Sequence, residues 1–226
     1  MLGTLLALNV GSIAILGNGG RRIESAFEKT PVVGALDLGR EGLPGDEHAW
    51  KHHGGPDMAV LVYAREHYSF WEDDCGLELP PSGAFGENFT TRGLVETEVC
   101  IGDVFRVGGA VVQVSQPRSP CFKIAARYGL SDMPIRVQES GYTGFLLRVV
   151  EEGPVRAGDE IRLVGHDDHG MTVAEANRIV HVDRRDVDGA ARLLAVPALA
   201  DGMRPKLMRR LAGEKPPAER DRLWGD

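Results

Sequence analysis

The chain of 226 residues is long for one ordinary domain and short for two, which favours one main body with an appendage. Its 42% hydrophobic and 26% charged residues are typical of a globular protein that folds without metal or disulfide staples. The net charge of −7 disfavours a nucleic-acid polymer or an anionic membrane as a partner, and no run approaches the ~20 apolar residues of a membrane helix.

The N-terminal residues 1–16, MLGTLLALNVGSIAIL, are apolar. Asn9 and Gly11 interrupt them and no Lys or Arg precedes Arg21, which is atypical of a secretory signal. We therefore predict a buried strand here and a cytoplasmic location for the protein.

Residues 1–165 are predicted to form a mainly β domain, a closed or partly open β-barrel with a few helices. Short apolar or β-branched runs are separated by Gly, Pro and Asp, as in compact sheets and barrels. The predicted strands lie within LGTLLALNV, MAVLVY, DVFRVGGAVVQVS, TGFLLRVV and DEIRLVG. One helix is predicted over residues 64–74, with Tyr68 and Trp71 on one face.

Two kinds of turn signal separate the predicted strands. Gly-Asp recurs at Gly45-Asp46, Gly102-Asp103 and Gly158-Asp159, because Gly tolerates positive φ and Asp binds nearby backbone amides. In FGENFTTRGL, Glu87 and Asn88 precede a strand. They either form a turn or contact a polar heterocycle, and spacing alone leaves both open.

Residues 171–226 are predicted to form a small three-helix domain after the polar linker GHDDHG. A capping box from Thr172 to Glu175 begins the first helix, and the helices lie within MTVAEANRIVHV, DVDGAARLLAV and GMRPKLMRRLAG. Helices this short bury little by themselves, so they should pack on the barrel, on a partner or on a second copy. The last residues, EKPPAERDRLWGD, are mostly polar and are predicted to fray.

The segment SQPRSPCFKI raises the question of what Cys121 does. The chain has three cysteines and no C-x-x-C pair, which fits reduced thiols better than a disulfide framework. The pattern predicts a strand, a loop and a helix that starts near Cys121, with Pro120 in its first turn. A helix start and the cations Arg118 and Lys123 would favour a thiolate, so Cys121 is either a reactive sulfur or a buried structural side chain.

A second polar cluster contains Asp46, His48, His52 and His53. These residue types could bind a metal, but their spacing matches no common zinc pattern. The favoured interpretation is a polar loop that places one or two histidines at a pocket rim.

Taken together, these segments resemble the MOSC superfamily and, most closely, its YiiM-like branch. The resemblance covers nearly the whole chain, and its ordered segments are GLPGDEHAWKHHGGPDMAV, AREHYSFW, FGENFTTRGL, VCIGDVFRVG, VSQPRSPCFKI and GYTGFLLRVVEEGPVRAGDEI. Residues 171 to about 212 resemble the three-helix domain that follows MOSC in that branch. The loop before His53 departs from the family pattern at Trp50, which leaves the roles of His48 and His52 open.

The resemblance implies a barrel that binds the molybdenum cofactor, in which molybdenum is held by molybdopterin. It implies that Cys121 is the protein ligand to the metal, since a soft thiolate suits molybdenum bound to dithiolene sulfur. His53 is then a candidate catalytic acid. The residues expected to line the cofactor pocket are Asp46, Gly54, Glu87, Asn88, Gln116, Arg118, Lys123 and Arg148.

The resemblance also implies an oxidoreductase that reduces small N-hydroxylated molecules such as 6-hydroxylaminopurine. The sequence has no flavin or iron–sulfur signature, so a separate electron-donor protein or a small reductant is expected to supply electrons. A sulfur carrier or transferase with a persulfide on Cys121 shares the fold, which therefore does not choose between these activities. A non-catalytic binding module is the third possibility, and no motif bears on the oligomeric state.

Overall fold

The computed structural model describes residues 2–18, 21–50, 53–215 and 219–225, and its centre is a closed seven-stranded β-barrel. The strands are β1 (Leu2–Val10), β2 (Ala14–Asn18), β3 (Arg21–Ser25), β4 (Thr30–Pro31), β5 (Ala35–Leu38), β6 (Val60–Ala64), β7 (Phe89–Arg92), β8 (Val104–Val107), β9 (Ala110–Pro117), β10 (Phe145–Glu151), β11 (Gly153–Arg156) and β12 (Glu160–Gly165). The barrel order is β12-β8-β9-β10-β6-β7-β1, and pairing of β12 with β1 closes it. The predicted mainly β fold is confirmed.

Alternating side chains give the barrel strands one face toward the core and one face outward. In β10, Phe145, Leu147 and Val149 are buried inside the barrel, while Leu146 and Arg148 point to the opposite face. This outward face of β10 and its neighbours β6 and β9 carries the candidate site described below.

The predicted N-terminal strand is present as β1, but it does not extend over residues 1–16, because a second strand begins within that segment. β1 ends at Val10, and β2 starts at Ala14 and pairs with β3 in a separate hairpin. The chain leaves β1 at Gly11, where a Cβ atom would lie 2.7 Å from the carbonyl oxygen of Glu28. The close approach of another backbone segment explains the glycine that separates the strands.

Seven helices lie in the described part of the chain: α1 (Tyr68–Cys75), α2 (Phe122–Tyr128), α3 (Met133–Ser140), α4 (Val173–Asn177), α5 (Val187–Ala195), α6 (Arg204–Leu211) and α7 (Arg220–Trp224). Short 3₁₀ turns cover Pro56–Met58, Arg65–His67 and Asp201–Met203, and α4 continues as a π-helical turn over Arg178–Val182. The helix predicted over residues 64–74 is confirmed, with Tyr68 and Trp71 buried. None of the helices in the described ranges is long and apolar enough to cross a membrane.

The C-terminal helices pack on the barrel and share its hydrophobic core. Val173, Ile179 and Leu207 belong to the same buried cluster as the barrel residues. Backbone bonds join the two parts, since Ile101 donates to Met171 and Val173 donates to Val99, each at 2.8 Å. Helices too short to form a core alone thus complete the core of the barrel.

Part of the polar C-terminal segment 214–226, for which no helix was predicted, is helical in the structure. Residues 216–218 and 226 lie outside the described ranges, but 219–225 contain α7. Glu219 anchors this segment by ion pairs with Lys206 (2.6 Å) and Arg222 (2.9 Å). Burial alone would raise the pKa of Glu219, yet these cations lower it to about 2, so the carboxylate stays charged.

Candidate functional site

A cavity of ≈ 550 Å³ lies against the outward face of β6, β9 and β10. Leu61, Gln116 and Leu146 occupy opposite positions on these three paired strands, and all three line the cavity. Seven of the predicted site residues also line it: His53, Gly54, Asn88, Gln116, Arg118, Cys121 and Lys123. Segments distant in sequence therefore meet at one concave surface.

Cys121 lies where the loop after β9 enters α2. It is the N-cap residue of α2, in an extended conformation with φ −130° and ψ 167°, and its side chain is buried but contributes to the cavity wall. The predicted strand, loop and helix are confirmed, and Gly129 ends the helix with φ 71°. Pro120 precedes the N-cap, so it is not in the first turn of the helix as predicted.

Two buried cations flank the thiol. Burial lowers the pKa of Arg118, and the negative charge of Cys121 as a thiolate counteracts this effect. The same two causes act on the pKa of Lys123. Among the described residues, Nη1 of Arg118 is buried without a hydrogen-bond partner. A buried cationic donor of this kind is costly unless it pairs with an acceptor, so the cavity is suited to an anionic group.

The cavity lining also contains Lys29, which the sequence did not indicate. Lys29 forms an ion pair with Asp46, and Asp46 also accepts hydrogen bonds from Asn88 Nδ2 and the Gly11 amide, both at 2.8 Å. Burial lowers the pKa of Lys29, and Asp46 counteracts that shift. Asp46 therefore does more than form the predicted Gly-Asp turn, because it also binds the lining residues Lys29 and Asn88.

The loop that contains His48 and His53 also lines the cavity. Gly54 has φ 84°, and a Cβ there would lie 2.6 Å from Cδ2 of His48, so glycine lets the imidazole pack against the backbone. Burial lowers the pKa of His48, which favours the neutral ring. The ring of His53 lies edge-on to Trp50, with centroids 5.3 Å apart. His52 is one of the four residues of the polar cluster that could bind a metal, and it lies outside the residues that the structure describes.

Besides Asp46, two further predicted pocket residues lie behind or beyond the cavity wall. Glu87 is fully buried and accepts hydrogen bonds from the amides of Gly83 (2.8 Å) and Phe85 (2.9 Å) and from the hydroxyl of Tyr68. Glu87 was predicted either to form a turn or to contact a polar heterocycle, and these hydrogen bonds are those of a turn. Arg148 forms an ion pair with Asp57 at 2.8 Å, so its guanidinium is engaged away from the lining residues.

The C-terminal helical region holds the loop that carries Cys121. Ser119 Oγ and His181 Nε2 lie 3.1 Å apart, and Arg222 donates to the carbonyl oxygen of Pro120 and, at 2.6 Å, to Oε1 of Gln138. Arg222 also lines the cavity. Sequence reasoning missed it because its segment was predicted to fray.

We expect the Arg222→Ala substitution to expose Cys121 by releasing the carbonyl of Pro120. The alkylation rate of Cys121, measured by mass spectrometry with iodoacetamide at one fixed pH, should rise by roughly tenfold. This follows because one lost hydrogen bond to a charged group weakens the closed loop by about 1.5 kcal/mol. Arg209→Ala, which removes only an exposed pair with Glu214, serves as the control. Equal Cys121 rates in both variants would contradict this expectation.

The stability of the folded chain should fall in acid because of His181. Burial is the main reason why the pKa of His181 lies well below its usual value. The cations Lys206 and Arg222 lower this pKa further, whereas the carboxylate of Glu219 raises it. Below pH ~6.5 the unfolded chain therefore binds a proton that the folded chain does not, which costs up to about 1.4 kcal/mol per pH unit. Urea unfolding of His181→Gln should show a shallower fall from pH 6.5 to 5, while His169→Gln, an exposed control, should match wild type.

Comparison with known proteins agrees with this architecture. The model of the MOSC domain matches residues 49–162, and that of the YiiM-like, 3-alpha helix domain matches residues 171–214. Protein YiiM of Escherichia coli is 42% identical over 205 residues, covering 89% of this chain and 91% of that protein. The chain belongs to the MOSC-domain family. Within it, the chain is one of the members that carry the YiiM-like 3-alpha helix domain.

Two further relatives extend the comparison. The crystal structure of YiiM from Geobacillus stearothermophilus superposes with a TM-score of 0.79 at 33% identity, covering 92% of this chain and 99% of that one. A protein of Gibberella moniliformis named Reductase is 33% identical over 198 residues. That match covers 86% of this chain but 35% of the fungal protein.

Proposed function

We propose that this protein is a molybdenum cofactor-dependent reductase of small N-hydroxylated bases such as 6-hydroxylaminopurine. The observation that carries the proposal is the position of Cys121, whose side chain lines the cavity beside the buried cations Arg118 and Lys123. Membership of the MOSC-domain family and the relative named Reductase support an oxidoreductase of this type.

The lining residues fit the cofactor in their chemistry. The thiolate of Cys121 is a soft ligand of the kind that molybdenum in a sulfur environment prefers. The unpaired Nη1 of Arg118, with Lys123 and Arg222 nearby on the wall, suits a phosphate group. When bound, the molybdenum cofactor supplies two-electron redox chemistry that side chains lack.

The reaction defines what the chain must do. It converts R–NH–OH, two electrons and two protons into R–NH₂ and water, with a separate protein or a small reductant as the electron source. We assign His53, on the cavity wall, to donate a proton to the departing hydroxyl oxygen. Gln116 offers an amide donor and acceptor to a purine-like ring, while the apolar side chains of Phe27 and Met203 in the lining help to exclude water.

The test is to produce the protein in a host that makes molybdopterin and to measure bound molybdenum and the conversion of 6-hydroxylaminopurine to adenine with a chemical reductant. Activity should scale with molybdenum content. Full activity in metal-free protein would rule the proposal out. An intact mass heavier by one reducible sulfur atom on Cys121, without stoichiometric molybdenum, would instead support the sulfur carrier.

A further inference from the structure

A second cluster of metal-binding side chains lies outside the cavity, where the barrel meets the C-terminal helices. Cys100, Asp103 and His166 each offer one ligand atom, and these atoms all lie within 4.8 Å of one another. The three atoms are a thiol sulfur, a carboxylate oxygen and an imidazole nitrogen. The reductase mechanism uses none of these residues.

Cys100 is the buried member of this cluster. It is 5% exposed, and its sulfur makes no hydrogen bond with the residues that the structure describes. Burial and the carboxylates of Asp103 and Asp167 raise the pKa of the Cys100 thiol to about 11. The Cys100 sulfur lies within 4.8 Å of a carboxylate oxygen of Asp103 and a ring nitrogen of His166, so the three groups face one common position.

Asp103 and His166 are already held in place. The amide of Cys100 donates to Asp103 Oδ2 at 2.9 Å, which is the turn contact predicted for this Gly-Asp pair. The other oxygen, Oδ1, lies 2.7 Å from Nδ1 of His166. The imidazole is 56% exposed, so the cluster is open to solvent on the side of His166.

We propose that Cys100, Asp103 and His166 bind a zinc ion. Sulfur, nitrogen and oxygen ligands together are typical of Zn²⁺, which takes four ligands in a tetrahedral arrangement. The fourth position is open to water. On binding, the Cys100 thiol loses its proton to solvent, and the proton on Nδ1 of His166 moves to the exposed Nε2, so one proton is released for each ion bound.

The position of the cluster gives such an ion a structural role. Cys100 forms a β-bridge with Thr172, the N-cap of α4, and His166 begins the linker that leads to that helix. An ion held by both segments would tie the barrel to the helices that hold the Cys121 loop. Zinc should therefore raise the melting temperature of the full chain, and the increase should grow with the logarithm of the zinc concentration above Kd.

Cobalt titration of the full-length protein tests the site, because a thiolate bound to Co²⁺ gives a charge-transfer band in the near ultraviolet. We expect one equivalent of Co²⁺ to bind, the band to appear, and Zn²⁺ to displace it. Cys100→Ser should abolish the band, and His166→Gln should weaken Zn²⁺ binding by roughly tenfold or more. Cys121→Ser and His169→Gln are the matched controls and should bind like wild type.

Three results would overturn the proposal. The band could be absent from wild type, or persist in Cys100→Ser, or disappear in Cys121→Ser, which would assign the metal to the cavity. Weak zinc binding of equal strength in all variants would identify adventitious surface coordination. Circular dichroism of each variant without metal distinguishes loss of the site from loss of the fold, and Cys100→Ala provides a second variant if Cys100→Ser is unfolded.

Discussion

The proposed function predicts that the Cys121→Ser variant has at least about 100-fold less N-hydroxyl reduction activity than wild type and much less bound molybdenum. A serine hydroxyl is a harder and more weakly acidic ligand than a thiol, and even the outer partners of metal ligands cost 10–100-fold when removed. The substitution removes one buried sulfur and leaves the fold of the loop intact, since Cys121 makes no side-chain cap to α2. The measurements are kcat/KM for 6-hydroxylaminopurine and molybdenum per chain.

Cys75→Ser is the matched control for this prediction. Cys75 is a partly exposed thiol at the end of α1, and it does not line the cavity. It should retain wild-type activity and molybdenum content. Wild-type activity in Cys121→Ser, with wild-type molybdenum, would mean that the sulfur is not a ligand.

The His53→Gln variant is expected to lower kcat by roughly 10²- to 10⁴-fold, the usual contribution of a positioned proton donor. Molybdenum content should stay at the wild-type level, because His53 is assigned to the proton and not to the metal. KM should change little, since the lost interaction acts in the transition state. Steady-state kinetics and elemental analysis on the same preparation measure all three quantities.

His169→Gln is the control, because His169 lies on the linker, is exposed and pairs with Asp167. An unchanged kcat in His53→Gln would remove His53 from the reaction. A parallel loss of molybdenum would show that this histidine helps to hold the cofactor instead. These two outcomes are distinguishable in one experiment.

The barrel strands and the Cys121 segment could be predicted because local patterns encode them, whereas the short strands outside the barrel could not. β1 coincides with LGTLLALNV, and the Thr172 cap was visible in the sequence, with its hydroxyl accepting from the Glu175 amide at 3.1 Å. Glu175 itself binds Arg178 and does not close the capping box. Such differences arise because the partner of a long side chain depends on which groups lie near it in the folded protein.

The remaining parts of the site depend on pairing between distant residues. Lys29 lines the cavity and forms an ion pair with Asp46, which is 17 positions away in the sequence, so no local pattern predicts this pair. Helix α3 was not predicted, and it buries Met133 and Val137 against the cluster that contains Tyr63 and Trp71. Cross-strand register places Leu61, Gln116 and Leu146 side by side, and register is a property of the closed barrel.

The anchoring of α7 has a practical consequence for handling the protein. Gly225 lies so close to Phe122 that a Cβ there would be 3.0 Å from its ring, and Arg222 reaches the cavity three residues earlier. Replacing Gly225 by a residue with a side chain would therefore crowd the ring of Phe122, the residue that follows Cys121. Variants made for spectroscopic and kinetic samples should leave this glycine unchanged.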